Sequence, residues 1–173
     1  MTPRRRNERQ ETPDDQHVYQ TNMIWRVIES EIVPLCEKEG IGQIVWSPIA
    51  QGALTGKYLP GAAPPAGSRA TDGTGSRFIA EYLTGDILGR VQQLLPVAEE
   101  AGLTLSQLAV AWTLQNPNVS AAIVGASRPE QVRENVRASG VRLDPAVLAR
   151  IDDILGPLIV RDPAQTTSPA ARP

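Results

Sequence analysis

Apolar and polar positions alternate along this chain in two rhythms, one helical and one strand-like. Residues 26–39 place Ile28, Ile32, Leu35 and Cys36 on one face at helical spacing, with Pro34 expected to kink the helix or shift its start and Gly40 to end it. Gln43-Ile44-Val45-Trp46 follows as a short β-rich run that reads as a buried strand, leading into a Pro- and Gly-containing loop from Ser47. Residues 59–76 form a long loop rich in Pro, Gly and Ala, a length that marks a functional lid or a disordered segment. Residues 86–101 carry a helical stripe of Ile87, Val91, Leu94, Leu95 and Ala98, stopped by Gly102. Thr104 and Gln107 make a capping box that opens a helix bearing Leu105, Leu108, Ala109 and Trp112. Residues 119–124 are a second strand, and Ser127 with Glu130 reads as a further capping box for a helix whose Val132 and Val136 point inward. Asp144 and Pro145 start a last helix with Val147, Leu148, Ile151 and Leu155 inside.

Strands separated by helical crossovers imply a parallel sheet and an α/β protein. Two strands are clear and a third is expected around residues 16–21, too few for a closed barrel. Residues 1–15 hold no aliphatic residue after Met1 and read as a solvated tail; residues 157–173 read as a flexible Pro-, Thr- and Ala-rich end.

Composition narrows the chemistry. The chain has 173 residues, 41% hydrophobic and 21% charged, with a net charge of -2, so no basic field for nucleic acid or an anionic membrane stands out. No apolar run approaches the roughly 18 residues of a membrane-spanning helix, and no signal peptide is visible, which makes the cytoplasm the expected location. The single cysteine, Cys36, and single histidine, His17, leave no disulfide within the chain and no His–Cys metal cluster.

Two segments carry candidate chemistry. The first runs from Trp46 through Ser47, Gln51 and Gly52 to Lys57: a strand ending in an indole and a hydroxyl, then glycines that admit a ligand close to the backbone, then a mobile cation. In parallel α/β proteins the carboxyl ends of the strands are where ligands bind. A core tryptophan before an ordinary loop is the competing reading. The second runs from Gly125 through Ser127 and Arg128 into a helix carrying Gln131, Glu134 and Asn135, where free N–H groups, a hydroxyl and a guanidinium suit a phosphate. Plain capping by Ser127 is the alternative there.

Together the two segments resemble the C-terminal half of an aldo-keto reductase, in the branch that includes the potassium-channel beta subunits. The resemblance lies in IVPLCEKEGIGQIVWSPIAQGALTGKY, LAVAWTLQNPNVSAAIVGASRPEQVRENV and LARIDDILG, and covers residues 22–156. It implies part of a (β/α)8 TIM barrel, about strands 6 to 8 with their helices, and an NADP(H) cofactor lying across the carboxyl-end mouth. By position, Trp46 would stack on the nicotinamide. Ser47, Ile49, Gln51 and Gly52 would line the pyrophosphate and ribose path, and Lys57 and Arg69 would reach the phosphates from the long loop. Gly125, Ser127, Gln131, Glu134 and Asn135 would hold the adenosine half, with Ser127 near the 2′-phosphate.

The family reduces carbonyls by hydride transfer, using an aspartate, a tyrosine, a lysine and a histidine from its amino-terminal half. The resemblance carries none of the four onto this chain: Lys38, Lys57, His17, Asp14 and Tyr19 do not stand in matching contexts, so no catalytic residue is assigned. Relatives also have a glutamine where Val18 stands and a tyrosine where Thr21 stands, which sets residues 1–21 apart as non-family sequence. An open half-barrel would leave Ile44, Val45, Ile123 and Val124 without facing side chains. Such a piece is expected to be marginal, homo-oligomeric or in need of a complementing chain. Three functional readings follow: the cofactor-binding portion of an NADP-dependent reductase without independent catalysis; a split-enzyme subunit completed by a separate amino-terminal half-barrel chain; or a non-catalytic interaction module or truncated gene product.

Overall fold

The structure is a computed structural model and describes residues 18–166, with no side-chain description for Val18. Three strands, β1 (Val18–Gln20), β2 (Gln43–Trp46) and β3 (Val119–Ile123), form one parallel sheet in the order β1-β2-β3. Between and after them lie α1 (Ile32–Glu39), α2 (Ser76–Ile79), α3 (Gly85–Glu100), α4 (Leu105–Thr113), α5 (Pro129–Val136) and α6 (Pro145–Leu155). The parallel α/β class is therefore present. The expected third strand is β1, at the end of the stretch set apart as non-family sequence; the residues before it lie outside the described ones.

Sheet register decides which side chains meet. Gln20 pairs with Trp46 and Trp46 with Ile123, so these three share one face at the carboxyl end of the sheet. Ile44, two residues before Trp46, lies on the same face, and Val45 on the other. That other face is covered: Val45 is fully buried in a cluster with Val27, Ile28, Val33 and Val119. The face bearing Ile44, Trp46 and Ile123 is open, and all three side chains are exposed. The expectation that Val45 and Val124 would lack neighbours is thus corrected. Val45 points to the α1 side, and Val124 packs on the main core; only Ile44 and Ile123 fit the expectation.

The larger core lies among the helices rather than against the sheet. Leu88, Val91 and Leu94 of α3, Leu105 and Leu108 of α4, and Ile151 and Leu155 of α6 close on Leu54 and Tyr58 from the loop after β2. Local signals place these helices. The Thr104 hydroxyl accepts from the Gln107 N–H while the Gln107 side chain accepts from the Thr104 N–H, the reciprocal box expected there. The Asp144 carboxylate accepts from the Ala146 N–H at 2.7 Å, with Pro145 next to it.

Four expectations are corrected. Helix α1 begins at Ile32, six residues later than the periodicity suggested, because Pro34 lacks an N–H and is tolerated only in a first turn. Leu35 is exposed and Val33 buried in its place. On α5, Val132 and Val136 point outward, since no described element covers that side. The stretch from residue 157, expected to be flexible, is held through residue 160. The Val160 N–H donates to the Ile24 carbonyl and the Arg26 N–H donates to the Val160 carbonyl, both at 2.8 Å. Residues 167–173 lie outside the described ones.

Neighbouring residues on β2 separate the covered face from the open one. Val45→Ala should cost about 2 kcal/mol in urea unfolding, whereas Ile44→Ala should stay within roughly 0.5 kcal/mol. Equal costs would contradict the facing described here.

Candidate functional site

Where β2 ends, the backbone turns abruptly. Ser47 has φ 61°, Ala50 46° and Gln51 58°, three residues other than glycine in the left-handed region within five positions, followed by Gly52 at 102°. Each such non-glycine residue costs about 1–2 kcal/mol, and strain of this kind concentrates at ligand sites. Buried hydrogen bonds hold the turn. The Asn22 side-chain amide donates to the Ser47 carbonyl at 3.2 Å, and its oxygen accepts from the Ile24 and Trp25 N–H groups. A polar chain then runs outward: the Gln51 amide donates to Ser47 Oγ at 2.9 Å, and Arg69 Nη1 donates to Gln51 Oε1 at 2.8 Å.

Arg69 comes from the long loop, so this chain ties residues 59–76 to the strand end. Asp72 stiffens the base of that tie. Its carboxylate accepts from the Gly75 and Thr74 backbones and the Thr74 hydroxyl, and these bonds, the Gly75 one foremost, hold it below the usual carboxylate range. Lys57 lies over the Tyr58 ring at 5.1 Å, and its amine would sit 3.6 Å from a Cβ on Gly52. Ser47, Gln51, Gly52, Lys57 and Arg69 are therefore one cluster. Ile49 packs half-buried against the main core beneath it, and Trp46 stands beside it with 38% of its surface exposed.

The second segment leaves the neighbouring strand at the same end. Since β2 and β3 are parallel and Trp46 pairs with Ile123, the turn through Gly125 and Ser127 rises beside the turn through Ser47, one strand spacing away. Here the expected box is corrected. Gln131, not Glu130, makes the cap: its side-chain oxygen accepts from the Ser127 N–H at 2.8 Å, the Ser127 hydroxyl at 3.2 Å and the Arg128 N–H at 3.2 Å. Three donors thus converge on one oxygen. Gly125 and Ser127 are exposed. Glu134 is exposed too, and its carbonyl accepts from the Gln107 side chain. Asn135 lies on the wall of a groove beside β3, with Val132 and Val136.

Two side chains at the site had no sequence signal. Gln20, across from Trp46, donates its amide to the Tyr82 hydroxyl at 2.9 Å, bringing together residues 62 positions apart. Tyr82 is buried, and its phenol is pushed up to about 12, first by desolvation and then by the charge of Glu81, against hydrogen bonds from Asn22 and Gln20. Among the described residues there is no group of three or more His, Cys, Asp or Glu that could hold a metal, and no helix is long and apolar enough to cross a membrane.

Comparison with known proteins gives a consistent family. The aldo/keto reductase family profile matches residues 5–155, beginning inside the segment read as non-family sequence. A probable voltage-gated potassium channel subunit beta from Arabidopsis thaliana is 44% identical over 138 residues, 74% of this chain and 39% of that protein. A putative subunit of the same kind from Schizosaccharomyces pombe is 45% identical over 132 residues, 73% of this chain and 38% of that protein. Among solved structures, a glycerol dehydrogenase from Gluconobacter oxydans superposes with a TM-score of 0.65 at 25% identity, over 90% of this chain and 45% of that one. The chain spans about two fifths of the length of these curated relatives.

Tyr82 supplies a pH test. Its folded value near 12 exceeds the ordinary value near 10, so its stabilising contribution is complete below pH 10 and is lost as pH rises through 12. The full difference is roughly 3 kcal/mol. Tyr82→Phe should flatten the fall in unfolding free energy over that window, and an unchanged slope would contradict the burial described.

Proposed function

Since the chain belongs to the aldo/keto reductase family, we propose that its paired strand-end turns bind NADP(H), as the cofactor-holding portion of an oxidoreductase that acts on carbonyl compounds. The observation that carries this reading is the placement of an open indole, a cationic cluster and a three-donor turn on adjacent parallel strands, all at one end. The donor set fits the group. Trp46 offers an apolar face to a flat ring, and Lys57 and Arg69 offer charge to a pyrophosphate. The Ser127 and Arg128 N–H groups already converge on one oxygen, supplied by Gln131, as they would on a phosphate oxygen.

When bound, the cofactor would supply hydride. The chain's own residues orient and neutralise. Gln51 couples Ser47 to Arg69, so a ligand that draws Arg69 onto a phosphate also fixes the long loop. Gly52 keeps the backbone clear beside Lys57. Glu134 and Asn135 belong to the adenosine end of this proposal, with Asn135 reached from the groove side. No residue of the chain is given the proton-transfer role. The cytoplasm is the proposed setting, and the channel-subunit role in the relatives' names forms no part of the reading.

Titration with NADPH should quench tryptophan fluorescence saturably, and Trp46→Phe should remove that quench although Trp25 and Trp112 remain. Arg69→Ala and Ser127→Ala should each weaken binding about tenfold, the loss of one charge-assisted hydrogen bond. A folded sample without saturable quenching would overturn the proposal.

A further inference from the structure

The cradle of donors at the start of α5 is already filled from within the chain. Gln131 Oε1 accepts from the Ser127 N–H at 2.8 Å, the Ser127 hydroxyl at 3.2 Å and the Arg128 N–H at 3.2 Å. Pro129, the next residue, has no N–H to add. The Ser127 and Arg128 donors that the cofactor reading gives to a phosphate are therefore held by a neutral amide oxygen. The other turn differs. There Gln51 engages only Nη1 of Arg69 and leaves the rest of the guanidinium to a ligand. Only at α5 must an internal acceptor leave before an anion can use the same groups.

We propose that Gln131 is an internal stand-in for the phosphate: its side chain closes the adenosine end of the site in the empty chain and swings out as the anion enters. This rests on the cofactor reading and adds a regulation of that same site. The resemblance makes Gln131 a ligand of the adenosine half; the geometry makes it first a competitor. Two anchors let the side chain leave while the helix stays. The Gln107 amide, on α4, donates to the Glu134 carbonyl in the second turn of α5 at 3.0 Å. Ala138, just past the helix, is fully buried in the main core. Gln131 itself is partly exposed, so its side chain has solvent to move into. Charge decides the exchange. A phosphate oxygen makes charge-assisted bonds with the same donors, roughly twice as strong as those of a neutral amide oxygen, and also meets the positive end of the helix. A ribose hydroxyl, neutral like the amide, has no such advantage. Apparent affinity for the anion is lowered by the fraction of molecules in which the cradle is closed.

The test compares Gln131→Met, which keeps the length of the side chain and loses the amide oxygen, with Gln131→Glu, which sets a carboxylate in the cradle. Inorganic phosphate and adenosine 2′,5′-bisphosphate are titrated into each 173-residue chain and followed at the Ser127 amide by nuclear magnetic resonance, and melting temperatures are taken without ligand. Gln131→Met should melt lower and bind both anions about fivefold tighter, the release of one neutral hydrogen bond's worth of competition. Gln131→Glu should melt higher, as an acid in the first helical turn does, and bind both anions roughly tenfold more weakly or worse. Stability and anion affinity then move in opposite directions, a pattern that neither a plain capping residue nor a plain ligand produces. Binding by Gln131→Met that is absent, unchanged or weaker would overturn the proposal, whatever its melting temperature. NADPH titrated into the same three chains separates this claim from the cofactor reading. If NADPH binds none of them while inorganic phosphate gives the expected pattern, the cofactor reading fails and the stand-in holds. If NADPH binds and Gln131→Met takes it up no more tightly than the unsubstituted chain, the cofactor reading holds and the stand-in fails.

Discussion

Parallel pairing of β2 with β3 is the constraint on which the rest of the molecule depends. Strands that run the same way end on the same side. The pairing of Trp46 with Ile123 therefore brings two loops, 80 residues apart in sequence, to within one strand spacing. Neither loop would amount to much alone. One is a strained turn with a basic side chain drawn over it; the other is a helix start with a glutamine oxygen in its cradle of donors. Side by side, on the proposed reading, they would offer a flat ring, phosphates and a ribose separate partners at one end of the sheet.

Stability has a different origin from the site. The main apolar cluster joins α3, α4 and α6 with the loop that follows β2, so the helical layer anchors the very segment that carries the left-handed residues. Leu54 and Tyr58, buried in that cluster, hold the loop from below while Asn22 holds Ser47 from the side. The unfavourable backbone of Ser47, Ala50 and Gln51 persists because its surroundings over-determine it. The sheet packs instead into the second, smaller cluster, on one face only, through Val45 and Val119.

Much of this was legible in local sequence. Caps at Thr104 and Asp144 and the Trp-Ser-Pro strand end are written in residues a few positions apart, and the structure keeps them there. What was not legible depended on distant partners. The Gln20–Tyr82 bond and the pairing of Val160 with Trp25 join segments that share no pattern. Val132 and Val136 have the spacing of an inward face, and a helix pattern says only that some surface should cover it, not which. The cap on α5 went to Gln131 instead of Glu130 because one amide oxygen can meet the Ser127 and Arg128 N–H groups and the Ser127 hydroxyl together, a geometry that spacing does not reveal.

The central claim is that the two turns grip one molecule. Nuclear magnetic resonance of the labelled chain tests it directly, by following the Trp46 indole N–H and the Ser127 amide in a single titration. With NADPH both signals should move along one saturation curve; with adenosine 2′,5′-bisphosphate, which has the phosphate end but no nicotinamide, Ser127 should move and Trp46 should not. Saturation of the two signals at different NADPH concentrations, or a response at only one of them, would contradict the account.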